Sequence, residues 1–581
     1  PLRLGPAKHV CSACTRVRAC AAPFHPMAPG RTNGAAAAAL SKAAEELRLP
    51  AGKASALGFD TQAIEAVVQK LRVQVDAGRL PGFMSCVTKE GKLLHFEAYG
   101  SADVCAGKTL GVDTLFRLYS QTKPITVVGA LRLLERGALS LNDPVAKHIP
   151  SFADVAVGDN RSTPSRAMLV RDLVAHTSGV GFGPGFGYDP ENDYEEAYVG
   201  VVRRVDRGEV QSLAEWCDEI AKLPLRFHPG QDWGYGYSSD ILGRVVEVVA
   251  GQSLDAFLRA EVLEPLGMHD TSFAVPTEKA ARLSALYKRE PMDGSGKNPK
   301  LITTDPGGSG LTEDAAKRVF AQASDGDRAV APSVSVFLQG RASSVIQGGG
   351  CVCNIAGGLV STLRDYLRFG QMLLDGGELN GVRILQPESV ALLVQDWLND
   401  YSSEKRKKPL WVWGTAGIGF SPLGQIGIAH PDAKARRGIG AELHTVHWGG
   451  AGGSGYMLNW PQRVQVLTYT GCAYDTETQK ALWRATFIGL RKGGAFAKPA
   501  AQPCLGNGAL PSYAELPKEE VEEAAPLRPE TPQSAAKRPT GRPSKGGATT
   551  NGSTKKEEPP AKRKRSSNGS APASAKKVAA R

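Results

Sequence analysis

A serine and a lysine three residues apart stand where a strand-like stretch gives way to a helix. An apolar run ends at Ser120, and the spacing of apolar residues beyond Lys123 predicts a helix that stops before Gly137. Pro124 suits the first turn of that helix, where its missing N–H leaves no hydrogen bond unmade. Residues three apart share a helix face, so a buried lysine can take the serine proton and make the hydroxyl a nucleophile. Serine is also a favoured helix N-cap, so the pair alone is compatible with a structural role.

A phenol is a third group that this chemistry can use. Tyr235 and Tyr237 lie in a Gly-rich segment, 227–243, just before a helix predicted from the spacing of Ile241, Val245 and Val249. A phenol beside Ser120 and Lys123 can share their proton if a nearby cation lowers its pKa from about 10. Without that context, each tyrosine is as compatible with packing or loop support.

Three further segments stand at the ends of predicted elements. His-Thr-Ser-Gly at 176–179 follows a helical pattern, Gly-Gly-Leu-Val-Ser-Thr at 357–362 precedes another, and His-Trp-Gly-Gly at 447–450 leads into predicted strands. The glycines at 450, 452 and 455 have the spacing of a dinucleotide-binding loop. A strand follows them where that loop needs a helix, so the dinucleotide interpretation fails.

The elements that must position these residues run in the order strands, helices, strands. A helix at 64–75 and a hairpin at 82–96 open the predicted domain, and two strands at 456–460 and 464–469 with a helix at 478–490 close it. Strands at both ends predict one sheet formed by the two ends of the domain, with a largely helical lobe from the middle. The stretch 291–346, rich in Gly, Ser, Pro and Ala, predicts an inserted loop.

The predicted domain covers residues 58–494 and has a segment of different composition on each side. Residues 1–57 are poor in acidic residues, carry several arginines and an alanine run, and predict a leader or disordered segment. Residues 495–581 predict a disordered basic tail, with 16 Lys/Arg against 8 Asp/Glu. Since the whole chain has a net charge of +12, most of the basic excess belongs to the tail and says little about a substrate.

The spacing of the cysteines and the hydropathy of the sequence indicate which cellular compartments are expected. The ten cysteines lack the close, even spacing of a secreted disulfide framework, so free thiols in an intracellular, reducing compartment are expected. An organelle through the leader and the nucleus through the basic cluster at 562–565 are both compatible with this composition. No apolar run of about 18 residues occurs, so no membrane span is expected.

In their order along the chain, these motifs resemble those of the serine β-lactamase and penicillin-binding-protein superfamily, over roughly residues 58–492. The chain looks most similar to the class C-like esterases and lovastatin-type acyltransferases of that superfamily. The resemblance implies an α+β fold of the β-lactamase/transpeptidase type, in which an antiparallel sheet flanked by helices adjoins a mostly helical lobe. It also implies acyl transfer through a serine, with no cofactor and no metal.

The resemblance carries over to three catalytic residues. Ser120 matches the acylated nucleophile and Lys123 its proton partner. Tyr235 matches the catalytic tyrosine, because the Asp-aliphatic-Leu-Gly sequence expected five residues beyond it begins at Asp240. Tyr237 is the competing assignment, since Tyr-Ser-Ser at 237–239 looks like the Tyr-Ser-Asn form of the motif.

Two departures from β-lactamases bear on the substrate. The usual Tyr-x-Asn lacks its asparagine, because Tyr237 stands there. The usual Lys-Thr-Gly is replaced by Trp448, Gly449 and Gly450, or by a frame that begins at His447 if the register slips by one residue, which would exchange the side chains that face the site. A tryptophan cannot pair a carboxylate and offers an apolar wall, so neutral esters or thioesters are expected in place of penicillins.

The resemblance also implies an oxyanion site. The oxyanion would lie between the N–H of Ser120 and a strand N–H, that of Ala451 in the preferred register or of Gly450 in the other. The expected function is therefore a serine hydrolase acting on small neutral esters. An acyltransferase that uses the same residues is the enzymatic alternative, and a non-catalytic scaffold is another.

Nucleic-acid binding through the tail is a further alternative. The basic segments 537–543 and 562–565 suit it, the first resembling a degenerate minor-groove hook and the second a nuclear-import cluster. Solvation of the tail without any partner accounts for the same composition.

Overall fold

A computed structural model describes residues 33–182, 197–198, 200–201, 204–205, 209–290, 300–305, 358–398, 412, 418–427 and 444–495. They all belong to the first of two units into which the chain divides, Pro1–Pro526 and Leu527–Arg581.

The described helices and strands follow the predicted order. The helices are α1 Asn33–Leu47, α2 Gln62–Asp76, α3 Lys123–Glu135, α4 Val145–His148, α5 Val170–Ala175, α6 Leu213–Ala221, α7 Ser238–Ala250, α8 Leu254–Leu258, α9 Leu363–Leu374, α10 Pro387–Leu393 and α11 Thr476–Lys492. The strands are β1 Gly82–Lys89, β2 Lys92–Asp103, β3 Lys108–Thr109, β4 Phe116–Arg117, β5 Leu286–Glu290, β6 Lys300–Asp305, β7 Val360–Ser361, β8 Glu378–Leu379, β9 Val382–Arg383, β10 Ile418–Ser421, β11 Gly424–Gly427, β12 Thr445–Gly450, β13 Ser454–Asn459 and β14 Val464–Tyr469.

The two ends of the domain form one antiparallel sheet, as predicted. Its strand order is β10-β11-β12-β13-β14-β1-β2-β3, and the ends meet where β14 pairs with β1. Alternation along β1 directs Phe83 and Val87 to one face and Met84 and Cys86 to the other. This sheet confirms the α+β fold class, because the intervening residues supply the helices.

Two apolar cores hold the sheet between layers of helices. On one face, α2 and α11 bury a cluster that includes Ile64, Leu482 and Phe487. On the other face lies the larger core, to which α3, α5, α6, α7, α8 and α9 contribute, for example through Leu131, Trp216 and Phe369. The catalytic candidates lie at this second face, between the sheet and the helical lobe.

The expectation of a leader or disordered segment over 1–57 is wrong for residues 33–57. Alanine is the strongest helix former, and the alanine run belongs to α1. Ala43, Ala44 and Leu47 are buried in the larger core, and the backbone of Leu93 in β2 bonds both Pro50 and Gly52. The folded part therefore begins before residue 58.

The predicted loop 291–346 contains a strand. β6 lies within this stretch and pairs antiparallel with β5, which precedes it, and the rest of the stretch lies outside the described residues. The predicted tail 495–581 and residues 1–32 also lie outside them, apart from Ala495. Among the helices of the described ranges, none is long and apolar enough to cross a membrane.

Candidate active site

The nucleophile candidate Ser120 lies in a 3-10 turn between β4 and α3. Tyr119, directly before it, has a φ of 48°, in the left-handed region that bulky residues rarely occupy. The segment after residue 357 supports this turn, since Leu118 N donates to Leu359 O at 2.8 Å and Leu359 N donates to Thr122 Oγ1 at 2.9 Å. The Gly-Gly-Leu-Val-Ser-Thr segment therefore helps to hold the turn that carries Ser120 in position.

Ser120, Lys123 and Tyr235 meet at one point. The Oγ of Ser120 lies 2.6 Å from the Oη of Tyr235, and Lys123 Nζ donates to the same Oγ at 3.2 Å. Lys123 Nζ also lies 4.9 Å from the centre of the Tyr235 ring. Both partners are buried, each 4% exposed. A hydroxyl, a phenol and an amine thus share one hydrogen-bonded cluster, the arrangement that proton transfer from a serine nucleophile needs.

Tyr237, the competing candidate, points elsewhere. Its ring packs in the helical lobe, with ring centres 4.7 Å from Phe182, 5.2 Å from Trp216 and 6.5 Å from Tyr198. The geometry therefore favours Tyr235 as the phenol at Ser120.

The His-Thr-Ser-Gly loop and the tyrosine-bearing segment are joined backbone to backbone. Three hydrogen bonds connect them: Arg226 N to Gly179 O at 2.7 Å, Gly230 N to Thr177 O at 2.8 Å, and Gly234 N to His176 O at 2.9 Å. A β-carbon at Gly236 would overlap the Val180 carbonyl oxygen, so only glycine allows this close approach. The buried carboxylate of Asp172 accepts a hydrogen bond from Thr177 Oγ1 of the loop at 3.0 Å and pairs with Arg166 at 2.6 Å. This pairing sets the position of Tyr235.

Strand β12 places Trp448 at the site and His447 away from it. The ring of Trp448 lies 5.6 Å from that of Tyr235, whereas the ring of His447 lies 4.7 Å from Trp483 of α11, on the opposite face of the sheet. The geometry thus favours the register in which Trp448, Gly449 and Gly450 occupy the Lys-Thr-Gly position. Burial, together with the nearby charge of Lys480, lowers the pKa of His447 to about 4.

The turn between β12 and β13 packs onto the nucleophile turn, the 3-10 turn that carries Ser120. A β-carbon at Gly450 would overlap the Leu118 carbonyl oxygen and lie 2.9 Å from the carbonyl carbon. One at Gly452 would lie 3.0 Å from the Tyr119 ring. Ala451, whose N–H is the expected oxyanion donor, stands between these two glycines, and its carbonyl accepts a bond from Tyr474 N at 2.9 Å. The turn that carries the expected donor is therefore packed against the turn that carries Ser120.

Aromatic rings from both lobes surround Tyr235. His176 and Trp233 of the helical lobe contact Phe420 of β10, at 5.4 Å and 5.7 Å between ring centres. Phe420 in turn lies 5.9 Å from Trp448. We call Trp233, Tyr235, His176, Phe420 and Trp448 the aromatic cluster. It gives the site an apolar wall and ties the sheet to the helical lobe.

Trp233, His176 and Phe420 are the members that the sequence did not predict as contributors to the site. His176 was visible only as a motif residue, and its contact with Tyr235 depends on backbone pairing that no local pattern reports. Phe420 could have been suspected from its edge-strand position near the strand of Trp448. Among the described residues, no cluster of His, Cys, Asp and Glu has the arrangement of a metal site.

Comparison with known proteins identifies the family to which this architecture belongs. The Beta-lactamase family profile matches residues 65–489. An uncharacterized protein of Mycobacterium tuberculosis is 31% identical over 411 residues, which is 69% of this chain and 87% of that protein. Esterase EstB of Burkholderia gladioli is 29% identical over 401 residues, or 68% of this chain and 87% of its own.

A solved structure shows the same fold. EstCE1, described as a hydrolase with promiscuous acyltransferase activity, superposes with a TM-score of 0.55 at 23% identity, covering 73% of this chain and 99% of its own. Since the family profile matches well over half of the chain, and the sheet and site have the arrangement described above, the chain belongs to the beta-lactamase family.

Proposed function

We propose that this protein is a serine hydrolase that forms an acyl-enzyme on Ser120 and acts on small neutral esters. The observation that carries the proposal is the cluster in which Ser120 Oγ lies 2.6 Å from Tyr235 Oη and 3.2 Å from Lys123 Nζ. Membership of the beta-lactamase family and 29% identity to a protein named as an esterase support it.

In the proposed first step, Ser120 Oγ attacks the ester carbonyl carbon. Its proton passes to the Lys123–Tyr235 pair, and the pair then protonates the leaving alkoxide. Both the amine and the phenol contact Ser120 Oγ, so the pair is the proposed base. In the second step, water gives a proton to the same pair and attacks the acyl carbon, and Ser120 regains its proton as the acid leaves.

The N–H groups of Ser120 and Ala451 are the proposed oxyanion donors. They belong to two segments in van der Waals contact at Gly450 and Leu118, so their spacing is set before substrate arrives. Preorganised donors of this kind contribute about 3 to 4 kcal/mol each to transition-state stabilisation.

The choice of neutral esters rests on Trp448. It occupies the strand position where the β-lactamase pattern has a lysine, and it is 8% exposed within the aromatic cluster. An indole has no charge with which to hold a substrate carboxylate, whereas the rings around it favour an apolar acyl or alcohol group.

A pair of matched tyrosine variants tests the assignment. Tyr235→Phe removes the hydroxyl beside Ser120 and is expected to lower kcat for p-nitrophenyl butyrate by about 10²- to 10⁴-fold. Tyr237→Phe removes a hydroxyl from a ring that packs in the helical lobe and should leave kcat within a few-fold of the wild type. Equal losses in the two variants would contradict the role of Tyr235.

Labelling identifies the nucleophile directly. A fluorophosphonate should modify Ser120 in the wild type, and the modified peptide is located by mass spectrometry. Ser120→Ala should abolish both labelling and ester hydrolysis while the circular dichroism spectrum stays unchanged. A folded Ser120→Ala protein with full activity would show that the nucleophile lies elsewhere.

A further inference from the structure

His176 lies next to the catalytic tyrosine candidate. The polar character of its side chain does not explain why it occupies this buried position. It ends α5 in the left-handed conformation, with a φ of 56°, and this turn carries its side chain into the larger core. The residue is 1% exposed. Its Nδ1 is buried and has no hydrogen-bond partner among the described residues. A buried nitrogen without a partner is costly, so a position that keeps one calls for another reason.

The contacts of the His176 ring supply that reason. Its centre lies 5.0 Å from that of Tyr235 at an interplanar angle of 31°, a tilted stack. Phe420 meets the His176 ring edge-on at 5.4 Å, and Trp233 does so at 6.5 Å. Aromatic pairs in these arrangements attract each other by about 0.5 to 1.5 kcal/mol beyond their burial. The His176 ring therefore packs between the phenol of Tyr235 and strand β10 of the sheet.

The backbone of His176 constrains the same tyrosine. Its carbonyl accepts a hydrogen bond from Gly234 N at 2.9 Å, one residue before Tyr235. Both the chain that carries the phenol and the face of the phenol are therefore held by one residue.

The charge state of the ring matters to its neighbours. Burial lowers the pKa of His176 well below its ordinary range, and the ammonium of Lys123 lowers it further. The ring is accordingly neutral near neutral pH, and it can stack on a phenol without adding a second cation beside Lys123.

We infer that His176 is a positioning residue whose ring holds the phenol of Tyr235 in hydrogen-bonding distance of Ser120. The inference rests on the proposed function. It assigns the ring no direct contact with substrate. A displacement of about 1 Å in a catalytic group can cost about 10²-fold in rate, so a ring that fixes one has a measurable effect.

The test compares His176→Ala and His176→Gln, which remove the ring, with His176→Phe, which keeps a neutral ring of similar shape. His176→Ala and His176→Gln should lower kcat for p-nitrophenyl butyrate by about 10- to 100-fold, with KM within about twofold of the wild type. The rate of fluorophosphonate labelling at Ser120 should fall by the same factor. His176→Phe should recover kcat to within about threefold.

His95→Ala is the matched control. His95 is a part-buried histidine on β2, hydrogen-bonded to Ser85 at 2.8 Å, outside the site. Its removal should lower thermal stability without changing kcat or the labelling rate. All rates are compared below the melting temperature of the least stable variant, and His176→Gln replaces His176→Ala if the alanine protein does not fold.

Three results would overturn the inference. They are unchanged kcat in a folded ring-removal variant, a rise in KM that accounts for the whole loss of kcat/KM, and a His176→Phe protein as impaired as His176→Ala. Wild-type protein that the fluorophosphonate does not label would instead contradict the proposed function. Wild type labelled at Ser120, with ring-removal variants labelled equally fast, would refute the role of His176 alone.

Discussion

Adding a single methyl group at Gly450 should disable the enzyme through the backbone of the nucleophile turn. In Gly450→Ala the new carbon would overlap the Leu118 carbonyl oxygen and lie 2.9 Å from its carbonyl carbon, where carbon atoms normally stay about 3.5 to 4.0 Å apart. The Leu118 peptide or β12 must therefore move by about 1 Å, taking Tyr119 and Ser120 or the Ala451 N–H with it. A shift of that size is expected to lower kcat/KM by about 10²-fold, or about 2.7 kcal/mol of transition-state stabilisation.

The assay measures kcat/KM for p-nitrophenyl butyrate and the melting temperature of three alanine variants. Gly452→Ala places a methyl 3.0 Å from the Tyr119 ring and 3.1 Å from the Arg117 carbonyl oxygen, which is tight but not an overlap, so a smaller loss is expected. Gly251→Ala is the stability control. It places a β-carbon at φ 66° at the far end of α7 from Tyr235, so it should cost about 1 to 2 kcal/mol of stability without affecting the rate. A folded Gly450→Ala protein within twofold of wild-type kcat/KM would refute the reasoning.

Three further predictions follow from other parts of the chain. Hydrolysis of nitrocefin should be slower, by kcat/KM, than that of p-nitrophenyl butyrate, because Trp448 stands where β-lactamases have a lysine; clearly faster nitrocefin turnover would contradict this. Protein ending at residue 497 should keep ester hydrolysis and lose any salt-sensitive binding to nucleic acid, and an inactive or insoluble product would place the tail within the catalytic domain. Because the pKa of His447 is about 4 when folded and near 6.5 when unfolded, the unfolded chain takes up the proton first. Stability should therefore fall by up to about 3 kcal/mol as pH drops from 6.5 to 4, and His447→Phe should flatten that part of a urea-unfolding pH series.

The features that could be predicted from the sequence are those determined by residues close together in the chain. The helix after Ser120 follows from apolar spacing and Pro124, and the sheet follows from strand patterns at both ends of the domain. The alanine run of α1 was misread, because composition alone does not show that Ala43 and Leu47 face a core. The position of Asp240 favoured Tyr235 over Tyr237 in the sequence but left Tyr237 as an alternative. The two tyrosines differ in contacts made across the fold: the Tyr235 hydroxyl meets Ser120, whereas the Tyr237 ring packs on Trp216.

The contacts that organise the site join segments far apart in the sequence. Tyr235 is placed by the loop at 176–179, Ser120 by Leu359 and Gly450, and Trp448 by β11 and β13. Most of these partners lie in segments that the sequence marks as motifs, but no local pattern shows which segments contact one another. Because these contacts set the distances within the site, substitutions should fall into two kinds. Changes at Ser120, Lys123 or Tyr235 remove a reacting group, whereas changes at His176 or Gly450 leave every reacting group in place and alter the distances between them. The second kind should lower the rate of acylation without changing which residue is acylated, and mapping of the labelled serine separates the two.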